Sequence, residues 1–413
     1  MRARRLVAAA VFASLVCPGA AMAQRISQRG FAEGRAFAFP QDAPNDPTGF
    51  LGEFLARAEV FAKPAAWLQL SGGLDLRGDS HDQVERAWRV DFGDRGTRRP
   101  GVSVRRLSAT VHYRRLTVDA GKQFIRWGKT DIVTPTDHFA PRDFLNVVES
   151  ELLAVTGIRA VVQARGETFE VVVVPRFTPS RVPLLDRRWT AVPPESAGLR
   201  LVDGGARLFS GTETGVRWGH LGEGYEYALS YFDGASHLPN IEVHVPLVPG
   251  ELVLIRVYPK VKSYGADVAV PTRWFTVKGE TAYFTSPSLA TDAYALYVIQ
   301  IERQTGEWLF VGGYAGEVVT ARRAPLTFAP DRGMTRSVVA RASYTIDANR
   351  TAAVETAVRQ NGHGIYVKAE YSQSRGQHWR ATATGSVLGG RRDDFLGQYR
   401  RNSHLSLALR YSF

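Results

Sequence analysis

The end of the chain constrains its fold more than any other stretch. Leu405, Leu407, Leu409, Tyr411 and Phe413 alternate with Ser406, Ala408, Arg410 and Ser412. A period of two is that of an extended strand, here with one apolar face and one small or polar face. The same alternation recurs around Val338–Ile346, Ile365–Ser372, Trp379–Thr384, Tyr225–Tyr231 and Leu68–Arg77. Its polar face carries charges in mid-strand, among them Asp75, Arg77, Arg341 and Lys368. Such charges would be costly in a dry sandwich core and suit a water-filled interior. The pattern therefore predicts an all-β, transmembrane, antiparallel up-and-down β-barrel.

Link lengths provide an independent test. Short links are expected at 63–65, 114–115, 165–167, 220–224, 271–272, 304–306, 347–350 and 374–376. Between them lie longer ones at 78–101, 128–156, 178–210, 234–260, 285–292, 320–335 and 389–402, with 361–364 as a short exception. Barrels of outer-membrane type have short turns at one end and long loops at the other. Counting by alternation gives seventeen strands from Phe50 to Phe413, and the segment 31–39 supplies an eighteenth. The expectation is thus about 18 strands, with 16 as the alternative. Residues 241–258 read as a hairpin inside an outer loop.

The N-terminus reads as an export signal. Arg2, Arg4 and Arg5 precede an apolar run from Leu6 to Val16, and Ala21-Met22-Ala23 supplies a small-x-small cleavage pattern. Residues 1–23 are expected to be removed, leaving 24–413 as a single barrel domain. The only cysteine, Cys17, lies in the signal, so the exported chain has no disulfide to rely on. No apolar run after residue 23 is long enough for a spanning helix. The net charge of +12 suits anionic lipid or anionic solutes. Nucleic acid is excluded as a partner by the export signal and by the absence of a long Lys/Arg run.

One block differs in texture. A strand expected over 116–127 runs into Gly121-Lys122-Gln123-Phe124-Ile125-Arg126-Trp127-Gly128-Lys129-Thr130-Asp131, then Pro135-Thr136-Asp137 and Ala140-Pro141-Arg142-Asp143-Phe144. Pro135 and Pro141 fix torsions, and Asp137 and Asp143 can cap the turns that follow. Residues 147–155 have helix-compatible content. Two readings stand. In one, the link folds into the lumen as a constriction carrying Arg126, Lys129, Asp131, Arg142 and Asp143. In the other it packs on the wall or rim, with charge pairs that only tie it down. The block resembles one in poorly characterised, porin-like families of Gram-negative outer-membrane proteins, with Gly-[Lys/Arg]-Gln, then Trp-Gly, then Pro-x-Asp turns. The terminal Phe413, with an aromatic two residues before it, resembles the signal read by the barrel-assembly machinery. These resemblances imply an outer-membrane address and a solute-channel role.

Chemistry of other kinds is not expected. Gly128-Lys129-Thr130 looks like the tail of a phosphate-binding loop, but Gln123 stands where that loop needs glycine. The nine histidines show no zinc-ligand spacing, and no Gly-x-Ser-x-Gly turn is present. No catalytic, cofactor or metal site is expected, and the chain is not expected to be an enzyme. On the polar face the phasing places Arg57, Arg77, Arg114, Arg159, Arg217, Arg341, Lys368, Arg380 and Arg410, interleaved with Glu53, Glu59, Asp75, Asp119, Glu170, Glu213, Glu226 and Glu370. This mixture suits a hydrated channel for small, anionic or amphipathic solutes. The alternatives are an exporter of an anionic polysaccharide, resembling the alginate type in size, and a non-conducting barrel that serves a periplasmic partner. Tyr225, Tyr231, Trp308, Tyr344, Trp379 and Tyr411 are expected in girdles against the membrane lipid.

Overall fold

The computed structural model describes residues 26–191, 198–246, 249–322 and 327–413. The expected signal peptide, residues 1–23, lies outside them. The main sheet has 19 strands, of which Val90–Asp91 is a two-residue parallel appendage to Val102–Tyr113. The remaining 18 strands form a closed antiparallel barrel. The first, Ile26–Ala38, pairs on one side with Phe50–Ala65 and on the other with the last, His404–Ser412, in the register Phe31↔Ser412 to Ala38↔Leu405. Past the end of that strand, Phe413 exchanges two backbone bonds with Gly30, at 2.9 and 3.0 Å. Closure matters because a membrane interior offers no water to an unpaired strand edge.

The expected alternation sets the two faces. In the last strand Leu405 and Leu407 are 67 and 65% exposed, whereas His404 and Ser406, which alternate with them, are 3 and 7% exposed. The outside is therefore a continuous apolar surface that requires lipid, and the inside is polar. Aromatic side chains gather near the short turns. Trp308 packs on Phe310 and Tyr344, and Trp379 packs on Tyr411. Substituting Leu407 by Arg is expected to destabilise the barrel by about 2–4 kcal/mol, the cost of a cation at mid-depth in lipid. Denaturant unfolding in lipid vesicles would measure it.

Eight short links fall together at one end of the barrel and the longer ones at the other, as their lengths predicted, with the short link after Arg359 lying among the long ones. Outside the barrel, Asn240–His244 and Glu251–Val257 form the expected outer hairpin. Arg200–Arg207 joins it in parallel as a third strand, which alternation did not reveal. Three expectations need correction. The strand expected over 116–127 ends at Gln123. Residues 147–155 form no helix: bends lead into Glu151–Leu152, which pairs with Arg142–Asp143. Arg114 does not stand on a strand face; it sits in the turn between Tyr113 and Leu116 with φ 52°. Among the described residues no helix is long and apolar enough to cross a membrane.

Candidate functional site: a segment lashed inside the barrel

After Gln123 the chain leaves the wall and folds inward until Val155, where the next strand begins. Packing draws it in. Ile125, Trp127 and Phe139 are buried against Val172, Val174 and Phe232 of the inner wall. The wall is notched to receive them. A Cβ on Gly215 would lie 2.6 Å from the Trp127 ring, and one on Gly313 would lie 2.8 Å from Cδ1 of Ile132. Farther along, Val147 joins a cluster with Val339, Ala357, Tyr366 and Leu388, covered by Leu396 and Tyr399 of the last long loop.

Polar fastenings then fix the segment. Asp137 closes its first turn by accepting Trp127 N–H and Gly128 N–H, both at 2.7 Å, and Arg126 Nε at 3.1 Å. The aspartate thus caps the turn before it, not the one after. Glu280, on the strand Thr276–Thr285, is 3% exposed. One of its oxygens accepts Lys129 N–H, Thr130 N–H and Thr130 Oγ1 at 2.8–3.0 Å. The other accepts Thr136 N–H and Thr136 Oγ1 at 2.8 and 2.9 Å. Gln300, fully enclosed, accepts Asp131 N–H at 2.8 Å and donates to Asp131 Oδ2 at 2.6 Å.

At the far end a buried ionic chain takes over. Asp143 receives Arg99 at 3.0 Å and Arg181 at 3.2 Å; Arg181 reaches Asp94 at 2.7 Å, and Lys122 reaches the same carboxylate at 2.6 Å. It joins two outer loops, the inserted segment and the wall. Burial alone would raise the Asp143 carboxyl, but Arg99 and Arg181 hold it well below the usual carboxylate range. Glu151, next to the Asp143 ladder, behaves alike: Arg77 and Arg57 overcome its burial and hold it at about 2. Glu149 pairs with Arg35 on the first strand at 2.8 Å.

The five residues expected at a constriction are therefore all in the inserted segment, but they do not converge on one point. Lys129 pairs with Glu226 and Asp267, at 2.7 and 3.5 Å. Asp131 faces Lys278 at 3.4 Å. Asp143 lies within the ionic chain, Arg126 is held by Asp137, and Arg142 meets Ser150 at 3.3 Å. Of the basic residues expected on the polar face, Arg57 and Arg77 reach Asp75, Arg159 reaches Glu170, and Arg217 reaches Asp267. Arg410 pairs with Glu33, Lys368 with Glu370, and Arg380 donates to Ser374 Oγ. Arg341 shares its face with the buried Ser337 and Val339 and is exposed. Arg341, Lys368 and Arg380 lie on the turn side of the covering cluster, where the inner wall is open to water. Glu213 was expected to line water and is instead fully enclosed. Glu280 and Gln300, the main moorings, were not singled out. Their only sequence signal is a polar residue in phase with the inner face, which many others share.

A cavity of about 130 Å³ remains beside the segment, between Val133–Phe144, the wall at Phe232 and Tyr294, and the outer loops at His237 and Arg332. Among the described residues no group of His, Cys, Asp and Glu could hold a metal ion.

This architecture has known counterparts. OccAB4 of Acinetobacter baumannii superimposes with a TM-score of 0.56 at 10% identity, over 94% of this chain and 98% of that one. A BenF-like porin from Pseudomonas fluorescens Pf-5 gives the same score and identity, over 94 and 97%. OpdK of Pseudomonas aeruginosa gives 0.53 at 9% identity, over 94 and 99%. The fold is that of the Gram-negative outer-membrane porins. No protein-family profile and no curated protein matches the sequence. The porin fold accounts for the greasy outside, the wet inside and the end-to-end asymmetry of links, and leaves the solute to be argued from the lumen.

Proposed function

We propose that this porin-fold chain is an outer-membrane channel for small solutes, with a modest preference for anions, and not an enzyme. The observation that carries the reading is the segment 124–154, moored inside the barrel from Glu170 and Glu280 on one side to Arg35 and Arg77 on the other. It narrows the bore with side chains whose positions are fixed, as a selective pore requires. The anion preference follows from Arg341, Lys368, Arg380 and Arg410 on the inner wall, set against Glu33, Glu355 and Glu370. A polymer exporter would need a wide bore, and a segment fastened so widely opposes that reading. The buried apolar anchors and ion pairs also oppose a barrel awaiting a periplasmic partner to shape its interior. Insertion would use the barrel-assembly machinery through Phe413, a residue 48% exposed.

The test is a planar bilayer recording. The expected result is a small unitary conductance and a reversal potential displaced toward anions in a salt gradient. Neutralising Arg341, Lys368 and Arg380 together is expected to shift the reversal potential toward cations while leaving the barrel folded. A silent bilayer, or selectivity untouched by those changes, would refute the reading.

A further inference from the structure

The inserted segment has a second fastening, away from the ionic chain. His237 stands just beyond the strand Tyr225–Ala235. Its Nδ1 is 2.6 Å from the carbonyl oxygen of Thr178, and its Nε2 is 2.9 Å from the carbonyl oxygen of His138. Both partners are acceptors with no proton to give. A neutral imidazole carries one N–H and one lone pair, so it can satisfy only one of these carbonyls; a doubly protonated ring satisfies both. The counter-charge is at hand. Nε2 lies 3.7 Å from Oε1 of Glu213. That side chain is fully enclosed, Oε1 receives only a long bond from Ala235 N–H at 3.5 Å, and Oε2 has no hydrogen-bond partner among the described residues. An enclosed carboxyl with so few donors stays ionised only with a cation beside it, and otherwise takes up a proton.

Among the described residues, the other groups around the ring do not supply that cation. Phe177 stacks on it at 5.2 Å. Tyr258, packed on Phe177, directs its hydroxyl to Ser180 O. His138, in the inserted segment, is held neutral by burial, down to about 3, against the pull of Asp137. Farther round the cavity, Arg332 is tied to Asp292 and Glu317, and Arg142 stands near Asp331. For His237 itself, burial pushes the ring down, to about 4, although the two carbonyl bonds favour the charged form, so the Glu213 carboxylate is what has to hold the second proton.

We propose that His237 is an imidazolium at neutral pH, paired with the Glu213 carboxylate, and that its two N–H donors latch the inserted segment at His138 to the outer loop at Thr178. Losing one proton turns a donor into a lone pair facing a carbonyl, which releases one side of the latch. Rising pH therefore loosens the segment. Its effect on current rests on the channel reading above; the charge state does not.

The protein in detergent micelles, with histidine labelled with carbon-13 at Cε1, tests the latch directly. His237→Gln assigns the resonance. If that variant fails to fold, Glu213→Gln identifies the resonance as the buried one that it moves. The expected result is a charged ring at pH 7, deprotonating above the ordinary histidine value of about 6.5, with tenfold or greater loss of proton affinity in Glu213→Gln. A neutral His237 at pH 7 in the unaltered protein overturns the proposal. In bilayers, current noise is expected to grow as pH rises through that deprotonation and to lose this dependence in His237→Gln. A charged ring in a silent barrel would sink the channel reading and leave the latch standing.

Discussion

Exchanging Asp143 for alanine is expected to lower the unfolding free energy by about 3–5 kcal/mol and to turn a steady pore into a flickering one. The carboxylate lies between Arg99 and Arg181, and all three are less than a tenth exposed. Removing it leaves two guanidiniums facing each other, with Glu53 and Asp94 as their remaining ion-pair partners among the described residues. Breaking one partner of a buried pair costs more than the pair contributes, because the remaining charge has no water to return to. The loss should appear in denaturant unfolding and as current noise, since the end of the inserted segment then has one fewer mooring. Asp143→Asn keeps the shape and should fall between. The pH dependence has a definite sign. Because the folded-state value of Asp143 is depressed, its stabilisation is present above the unfolded value and is lost as pH falls through the folded one. Glu151, held at about 2, acts in the same sense. Conductance should therefore be steady from neutral pH down to about 4, the unfolded carboxylate value, and the ionic mooring should fail only in stronger acid.

Glu280→Ala is expected to give the second large effect, at the other end of the segment. Three backbone N–H groups and two hydroxyls converge on this one carboxylate. Without it the segment's three N–H groups and the Thr136 hydroxyl face the wall with no acceptor, while Thr130 Oγ1 keeps Val133 O, at a cost of about 1–3 kcal/mol for each one left buried. The segment should respond by leaving the wall, so the expected outcome is a larger unitary current with frequent partial closures. Glu280→Gln retains one acceptor oxygen but turns an NH₂ toward the remaining donors, and should give an intermediate current. Unchanged conductance in Glu280→Ala would show that the apolar anchors at Trp127 and Phe139 hold the segment unaided.

The two moorings differ in how far they could be read from the chain. Asp143 lies in the Pro-Arg-Asp turn that stood out in the sequence, where a constriction charge and a charge pair tying the loop down were both open readings; it is a buried tie. Glu280 did not stand out, because its partners are 144–151 residues away and nothing local marks it from other inward-facing acids. Arg114 shows a different failure. The link at 114–115 was legible, yet the polar phase of the strand was carried into it; Arg114 sits in that turn with φ 52°, and phase has no meaning in a turn. Residues 147–155 show a third. Their composition permits a helix, but Val147 is drawn into an apolar cluster and Glu151 into an ion pair with Arg77, and these tertiary contacts outweigh a weak propensity.

Alternation is a local property, repeated in strand after strand from Phe31 to Phe413. It fixed the two faces, the closed barrel and the grouping of short and long links at opposite ends, because each strand solves the same problem between lipid and water. The course of the segment after Gln123, the pairing of its charges and the enclosure of Glu213 and His237 depend on which residues closure sets opposite one another across the bore. That is a property of the whole ring, so only the tertiary structure decided it.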